Sequence, residues 1–286
     1  MPAHAFTIDL EDWHQMLSRR LTGRYSEPST ATVDATHRLL DILDEAQTRA
    51  TFFVVGVLAE RFPDLVREVH RRGHEVASHT YTHRPIFTLS REAFREDVAR
   101  SMQQLADLTG APVRGFRAPE FSVGSLDHWC FDVLAELGFE YDSSVFPVAR
   151  LRYGIPNAPA TPFRIKTQSG SLWEFPLATW KWHGRQMPLA GGTYYRFLPS
   201  SVVHRAIREL DSASAVFYFH PYEFHDGVLK LHDLSMGRRV SPAYFKYRLL
   251  HNFRTPRILE TLKPILRDLE FRPLAETCAS MKDNHA

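Results

Sequence analysis

Short apolar runs of strand type alternate with amphipathic helical stretches along most of this chain, and that alternation limits its fold more than any other feature. "HAFTID" reads as a strand, and "DATHRLLDILDEAQT" follows with Leu39, Leu40, Ile42 and Leu43 on a helical apolar face. "ATFFVVG" is a second, fully apolar strand. The next helix, "FPDLVREVHRRG", has Pro63 near its first turn and Gly73 at its end. "HEVASH" is a third strand, and "SREAFREDVARSMQQLADLTG" is the clearest helix, with Ser90 as N-cap and Phe94, Val98, Met102 and Leu105 on one stripe. "VRGFRAPEF" supplies a fourth strand, "LDHWCFDVLAELG" a helix and "FEYDSSV" a fifth strand. Such β-then-α units imply parallel strands with right-handed crossovers, in a barrel or an open sheet.

The pattern weakens over 147–200, which is rich in Pro, Gly and aromatic residues and reads as a decorated insertion with hairpin-like strands. It resumes with a helix at "SVVHRAIREL" and a strand at "AVFYFHPYEF". The closing "YFKYRLLHNFRTPRILETLKPILRDLEFRPLAE" reads as a terminal helix plus a short strand on the same core. A single domain over 1–286 is expected, since the length suits one sizeable core and no linker divides it.

Thirty-five Lys and Arg stand against thirty-three Asp and Glu, and the basic residues are scattered, which argues against a nucleic-acid partner. Cys130 and Cys278 have no CxxC spacing, so neither a disulfide framework nor a thiolate metal site is indicated. The first residues lack a basic segment followed by an apolar one, and no run approaches the roughly twenty apolar residues of a membrane span. A cytoplasmic protein with no integral membrane segment is the expectation, with a place peripheral to a membrane-bound system compatible; the oligomeric state is left open.

Chemistry gathers where these strands end. The first ends in "TIDLEDW", with Asp9, Glu11 and Asp12; the third at His79 and His83; the fourth at Arg117; the last at His220. In parallel α/β architectures these ends share one face, so distant residues converge. Imidazoles and a carboxylate suit a divalent ion with an open coordination position. If "SHTYTH" starts a helical turn, its i, i+4 spacing puts both imidazoles on one face. A second carboxylate off the metal would act as base, Arg117 would orient it, and His220 would protonate a leaving group. Taken singly, each has a plainer reading: Asp9 and Asp12 as turn or helix-capping residues, Arg117 as an ordinary ion pair, His220 as a core histidine.

Together these residues resemble the motifs of the polysaccharide deacetylase family (NodB homology, carbohydrate esterase family 4). "FTIDLEDWHQ" is similar to its first motif, "SHTYTH" to its His-x-x-x-His motif and "RAPEF" to its Arg-x-Pro motif. "LWEFP" and "FYFHPYEF" resemble the fourth and fifth, and "GGTYYRFLP" resembles a segment of the exopolysaccharide and exosortase-associated subgroup, whose C-terminal extension would correspond to about 240–286.

The resemblance implies a distorted barrel of the (β/α)7 type and a divalent-metal-dependent N-deacetylase acting on an N-acetylated saccharide. Zinc is the expected ion, with cobalt, nickel or manganese compatible. It further implies Asp9 as general base, His79 and His83 as metal ligands, Arg117 as the residue orienting Asp9, and His220 as general acid. Tyr218 would line the acetyl pocket, Glu174 would tune the catalytic histidine, and Trp13 and Tyr195 would stack on sugar. A backbone N–H near Tyr141 or Asp142 would help hold the oxyanion. One departure stands out: the family's first motif has adjacent aspartates, whereas Leu10 follows Asp9 here. Strand alternation points to Glu11 as the third ligand, and the family's short carboxylate points to Asp12. Asp12 is the expected ligand and Glu11 the alternative. Two rivals are a non-metal amidohydrolase acting on a small cyclic amide, against which the intact His pair counts, and a catalytically silent carbohydrate-binding protein of an exopolysaccharide locus.

Overall fold

The computed structural model describes residues 3–126, 128–149, 153–210, 215–230 and 242–283. Residues 150–152 of the expected insertion, 240, 241 and 284–286 of the expected extension, and Asp127 of the helical run from Leu126 lie outside the described residues.

The strands are β1 (Ala5–Leu10), β2 (Thr51–Val54), β3 (Glu75–Ser78), β4 (Gly115–Phe116), β5 (Tyr141–Asp142), β6 (Phe163–Thr167), β7 (Gly170–Glu174), β8 (Thr179–Trp182), β9 (Arg185–Pro188) and β10 (Val216–Phe219). The helices are α1 (Trp13–Thr22), α2 (Ala31–Glu45), α3 (Gly56–Arg61), α4 (Pro63–Arg71), α5 (Arg91–Thr109), α6 (Trp129–Glu136), α7 (Gly192–Phe197), α8 (Ser200–Arg208), α9 (Pro242–Asn252), α10 (Pro256–Asp268) and α11 (Leu274–Asp283).

Seven strands run parallel in the order β10-β1-β2-β3-β4-β5-β7, and β6 adds an antiparallel edge to β7. The sheet curls on itself. Past β7, Leu177 forms a parallel bridge to Val216, and the Ala178 N–H donates to the Val216 carbonyl at 2.9 Å. Thus the chain leaving one end of the parallel set meets β10 at the other, giving a distorted barrel of the (β/α)7 type.

β1 and β2 are buried along their whole length, as apolar strands covered by helices on one side and lining a barrel on the other should be. Around them the helices follow their local signals. Ser90 caps α5 by accepting from the Ala93 N–H, Gly110 ends it in the left-handed region, and Pro63 opens α4.

Three elements differ from the sequence expectation. The residues after β1 form a helix, α1, because Asp12 caps it and Met16 and Leu17 find an apolar partner in Tyr222 and Leu229. The 147–200 segment contributes β6 and β7 to the main sheet, and its β8–β9 hairpin forms the separate two-stranded sheet. The C-terminal run is three helices: the chain turns at 253–255, Pro256 opens α10, and the expected strand shrinks to one bridge between His4 and Phe271 before α11.

β4 approaches β5 so closely that only glycine fits at 115. A Cβ there would fall on the ring of Tyr141, whose hydroxyl donates to Glu75 at 2.7 Å inside the barrel. Gly115→Ala is therefore expected to cost about 1–3 kcal/mol by overpacking. Chemical denaturation checks this, and a midpoint equal to the parent's would show that the Tyr141 contact is not tight.

Candidate active site

Arg117 leaves β4 with its side chain fully buried at the barrel centre. Its Nη1 donates to Asp9 Oδ1 and to Thr7 Oγ1, both at 2.8 Å. Nε donates to the Ser143 carbonyl at 2.9 Å and Nη2 to the Ser143 hydroxyl at 2.8 Å. Its guanidinium carbon also lies 4.1 Å from the Phe53 ring centroid. Asp9, on β1 and 3% exposed, is thus held as an oriented carboxylate by a cation with no rotational freedom.

The same residue positions His79. The His79 Nδ1 lies 2.7 Å from the Arg117 carbonyl, a bond that makes Nδ1 the donor and leaves Nε2 with a free lone pair. Burial, reinforced by the neighbouring His83, lowers the His79 pKa to about 4, so the ring is neutral near pH 7.

His83 arrives by a loop rather than the helical turn expected from "SHTYTH". Thr80 and His83 both occupy the left-handed region, at φ of 65° and 54°. Asp97 of α5 secures the loop by accepting the Tyr81 N–H at 2.7 Å and the Thr82 hydroxyl at 2.6 Å. The Thr80 hydroxyl accepts the His83 N–H at 3.0 Å. Left-handed backbone at two non-glycine residues costs free energy that the surrounding bonds must offset. It brings the two imidazoles to 4.9 Å between centroids.

Glu11 completes the cluster. One donor atom each from Glu11, His79 and His83 lies within 4.8 Å of the others, and all three residues are buried. The His83 Nε2 is 2.7 Å from Glu11 Oε2 but off hydrogen-bonding geometry, so it remains a buried nitrogen with no hydrogen-bond partner. Burial pushes the Glu11 carboxyl upward, yet His83 foremost, with His220, outweighs it and holds its pKa well below the usual carboxylate range. Two imidazoles and a carboxylate converging on an unsatisfied nitrogen fit a divalent cation.

Asp12, the expected third ligand, sits elsewhere. Its Oδ1 accepts the Gln15 N–H at 2.7 Å, and its Oδ2 accepts the Ser29 N–H at 3.1 Å, the Ser29 hydroxyl at 2.6 Å and the Thr32 hydroxyl at 2.6 Å. It caps α1 and ties that helix to the start of α2, leaving its oxygens committed. Strand alternation places Glu11 on the face of Asp9, and Glu11 is the carboxylate found beside His79 and His83.

Next to β1, His220 follows the paired strand β10. Its Nε2 is 3.4 Å from Glu11 Oε1 and its Nδ1 3.5 Å from Glu223 Oε2. Burial lowers its pKa, but Glu223 and Glu11 outweigh that and raise it. Glu223 is fixed in turn by Arg196, whose Nη2 donates to Oε1 at 2.7 Å. Burial raises the Glu223 carboxyl, but His220 and Arg196 overcome this and hold it down at about 2.

Glu174 was expected to tune the catalytic histidine. Instead it is buried at the end of β7, accepting the Val145 N–H at 3.0 Å beside Asp142. Burial and the Asp142 charge raise its carboxyl far above the usual range. Glu223 occupies the place expected of it, and its signal was its position three residues after His220 across Pro221.

Asp9, Glu11, His79, His83 and His220 line one cleft of about 510 Å³, with Tyr218 on its wall. Trp13 and Tyr195 do not reach it: Trp13 packs with Met16, Leu17, Tyr222 and Leu229, and Tyr195 lies edge-on to Phe219 at 5.2 Å in the core. The aromatic lining comes instead from Phe121, Tyr153, Tyr218, Tyr222 and Tyr247. Nor do Tyr141 and Asp142 line it, and the Tyr141 N–H is directed to the Arg114 carbonyl at 3.3 Å. Gly191 and Gly192 bring α7 against this wall, since a Cβ on the first would lie 2.8 Å from the Tyr218 ring and one on the second would strike the Glu223 carboxylate.

Residues 28–141 match the family model described as Polysaccharide deacetylase, and 143–279 match one described as Domain of unknown function (DUF3473). The cleft draws on both, with His79, His83 and Arg117 in the first and Arg196, Tyr218, His220 and Glu223 in the second. A peptidoglycan-N-acetylglucosamine deacetylase of Bacillus cereus is 26% identical over 114 residues, 37% of this chain and 42% of that protein. A chitooligosaccharide deacetylase of Sinorhizobium fredii is 38% identical over 85 residues, 29% of this chain and 40% of that one. The chain therefore spans less than half the length of these curated relatives.

Among solved structures, a suspected polysaccharide deacetylase from Mycobacterium smegmatis aligns with TM-score 0.66 and 21% identity, covering 99% of this chain and 91% of that one. A family 4 pseudoenzyme from Bacillus anthracis aligns at 0.50 and 13%, covering 96% and 65%. Because a pseudoenzyme shares the fold, side chains rather than topology must decide activity.

Asp12 and Glu11 are separated by substitution. Asp12→Ala is expected to lose about 1–3 kcal/mol of stability through the lost cap and the unpaired donors, while keeping its metal. Glu11→Gln should fold like the parent and lose metal. Denaturation together with elemental analysis of metal-reconstituted protein checks both; metal loss in Asp12→Ala alone would reverse the assignment.

Proposed function

From the premise that this chain belongs to the polysaccharide deacetylase family, by the match over 28–141, we propose that it hydrolyses the acetamide of an N-acetylated amino sugar, releasing acetate and a free amine. The observation that carries this reading is the convergence, in one cleft, of an Arg-oriented carboxylate, a three-donor cation site and a histidine backed by a carboxylate.

Glu11, His79 and His83 would hold a divalent ion, zinc being the best match to two imidazoles and one carboxylate. Such an ion, when bound, acidifies water and polarises the acetyl carbonyl. Asp9 is the base that takes the proton of the attacking water. Arg117 holds Asp9 in place through its Nη1–Oδ1 bond, so no reorientation is needed as that proton moves. His220, whose pKa is raised by Glu223 and Glu11, carries the proton delivered to the departing amine. Tyr218 lies edge-on to His220 at 5.6 Å between centroids and forms the wall against which the acetyl methyl packs. The cleft's aromatic rings suit the apolar faces of sugar rings.

Acetate release from N-acetylated oligosaccharides tests the reading. Asp9→Asn and His220→Ala, each confirmed to be folded and metal-loaded, are expected to lower kcat by about 10²–10⁴-fold. Turnover close to the parent's in either would remove that residue from the reaction. Exhaustive chelation should abolish release and zinc or cobalt restore it; full activity after verified metal removal would contradict the metal-dependent reading.

A further inference from the structure

Helix α9 leaves several of its apolar side chains outside the core. Tyr244 and Tyr247 pack inward on the Trp13, Met16 and Leu17 cluster, and His251 faces the cleft. Its apolar residues point outward instead: Phe245 is 57% exposed, Leu249 68% and Leu250 40%. Phe253, one turn further on, stacks on exposed Phe197 at 5.5 Å and 22°. Phe245, Leu249 and Phe253 follow one another at four-residue spacing, making a continuous stripe. The helix does not hang free, since Arg196 donates to the Leu250 carbonyl at 2.7 Å and the Asn252 side chain bonds both the N–H and the carbonyl of Leu229.

The charge carried by this segment itself has one sign. Residues 242–257 contain Lys246, Arg248, Arg254 and Arg257 and no Asp or Glu. Among the described residues none of these four makes an ion pair. A two-fold contact between copies of this chain would set the same cations against one another across the interface. An anionic bilayer satisfies both features, taking the apolar side chains below its headgroups and the cations among them.

We infer that the outward face of α9, with Phe197, docks on an anionic lipid surface. This does not depend on the proposed reaction, although Lys246, Tyr247 and His251 of the same helix line the cleft, so docking places the cleft beside the bilayer.

Co-sedimentation with phosphatidylglycerol–phosphatidylcholine vesicles, against phosphatidylcholine alone, tests the inference with the full chain. Binding is expected to need the anionic lipid and to fall with salt. Phe245→Ser with Leu249→Ser, and separately Arg254→Glu with Arg257→Glu, should each weaken partitioning by about tenfold or more, with unaltered circular dichroism. Absence of binding to the anionic vesicles, or binding by both double variants as strong as the parent's, would overturn it. So would light scattering that finds a dimer which the Phe245 and Leu249 substitutions dissociate, since the stripe would then be a contact between copies. Acetate release from a soluble oligosaccharide, measured on the same samples, reports separately on the reaction.

Discussion

The buried guanidinium of Arg117 is the constraint on which the site depends. A cation removed from water is tolerated only when its donors are satisfied, and Arg117 places four bonds on Thr7, Asp9 and Ser143. Those residues come from β1 and from the segment leaving β5, so one side chain stitches across the barrel interior. Its carbonyl meanwhile directs His79. The carboxylate assigned as base and one assigned metal ligand are therefore fixed by the same residue, through side chain and backbone respectively.

A second wall is built from the other half of the chain. Glu223 bridges His220 and Arg196, and Arg196 reaches on to the Leu250 carbonyl in α9. The close approach of Gly191 and Gly192 to Tyr218 and Glu223 makes that chain of contacts possible. The cleft thus joins Asp9 and Glu11, which precede both matches, to residues of the segment matching the deacetylase model and of the segment matching the domain of unknown function.

The parallel α/β arrangement was legible because its strands are short apolar runs and its longest helix, α5, carries a Ser90 cap, a Gly110 stop and an apolar stripe. The meeting of Asp9 with Arg117, and of His79 with His83, followed from strand ends sharing a face. What local pattern could not supply was direction after a strand ends. The two histidines meet through a left-handed loop that Asp97 pins, and i, i+4 spacing cannot distinguish that from a helical turn. Asp12 and Glu11 are adjacent carboxylates, and only the hydroxyls of Ser29 and Thr32, brought in by α2, commit one of them to capping. Trp13 and Tyr195 were aromatic residues beside motifs, and burial in the core rather than sugar contact is what their neighbours enforce. Glu174 and Glu223 are both acidic residues near aromatic strands, but Glu223 meets His220 through the short turn the two share, whereas Glu174 is held by the Val145 N–H at the end of β7.

The central claim is that Glu11, His79 and His83, rather than a set containing Asp12, form a divalent cation site beside Asp9. Anomalous diffraction at the zinc edge, from crystals of the protein grown with zinc, addresses it directly. The account predicts one dominant peak between the Glu11 carboxylate and the Nε2 atoms of His79 and His83, with the Asp12 carboxylate still bonded to Ser29 and Thr32. A peak coordinated by Asp12, or an ordered cleft with no peak at full zinc loading, would contradict it.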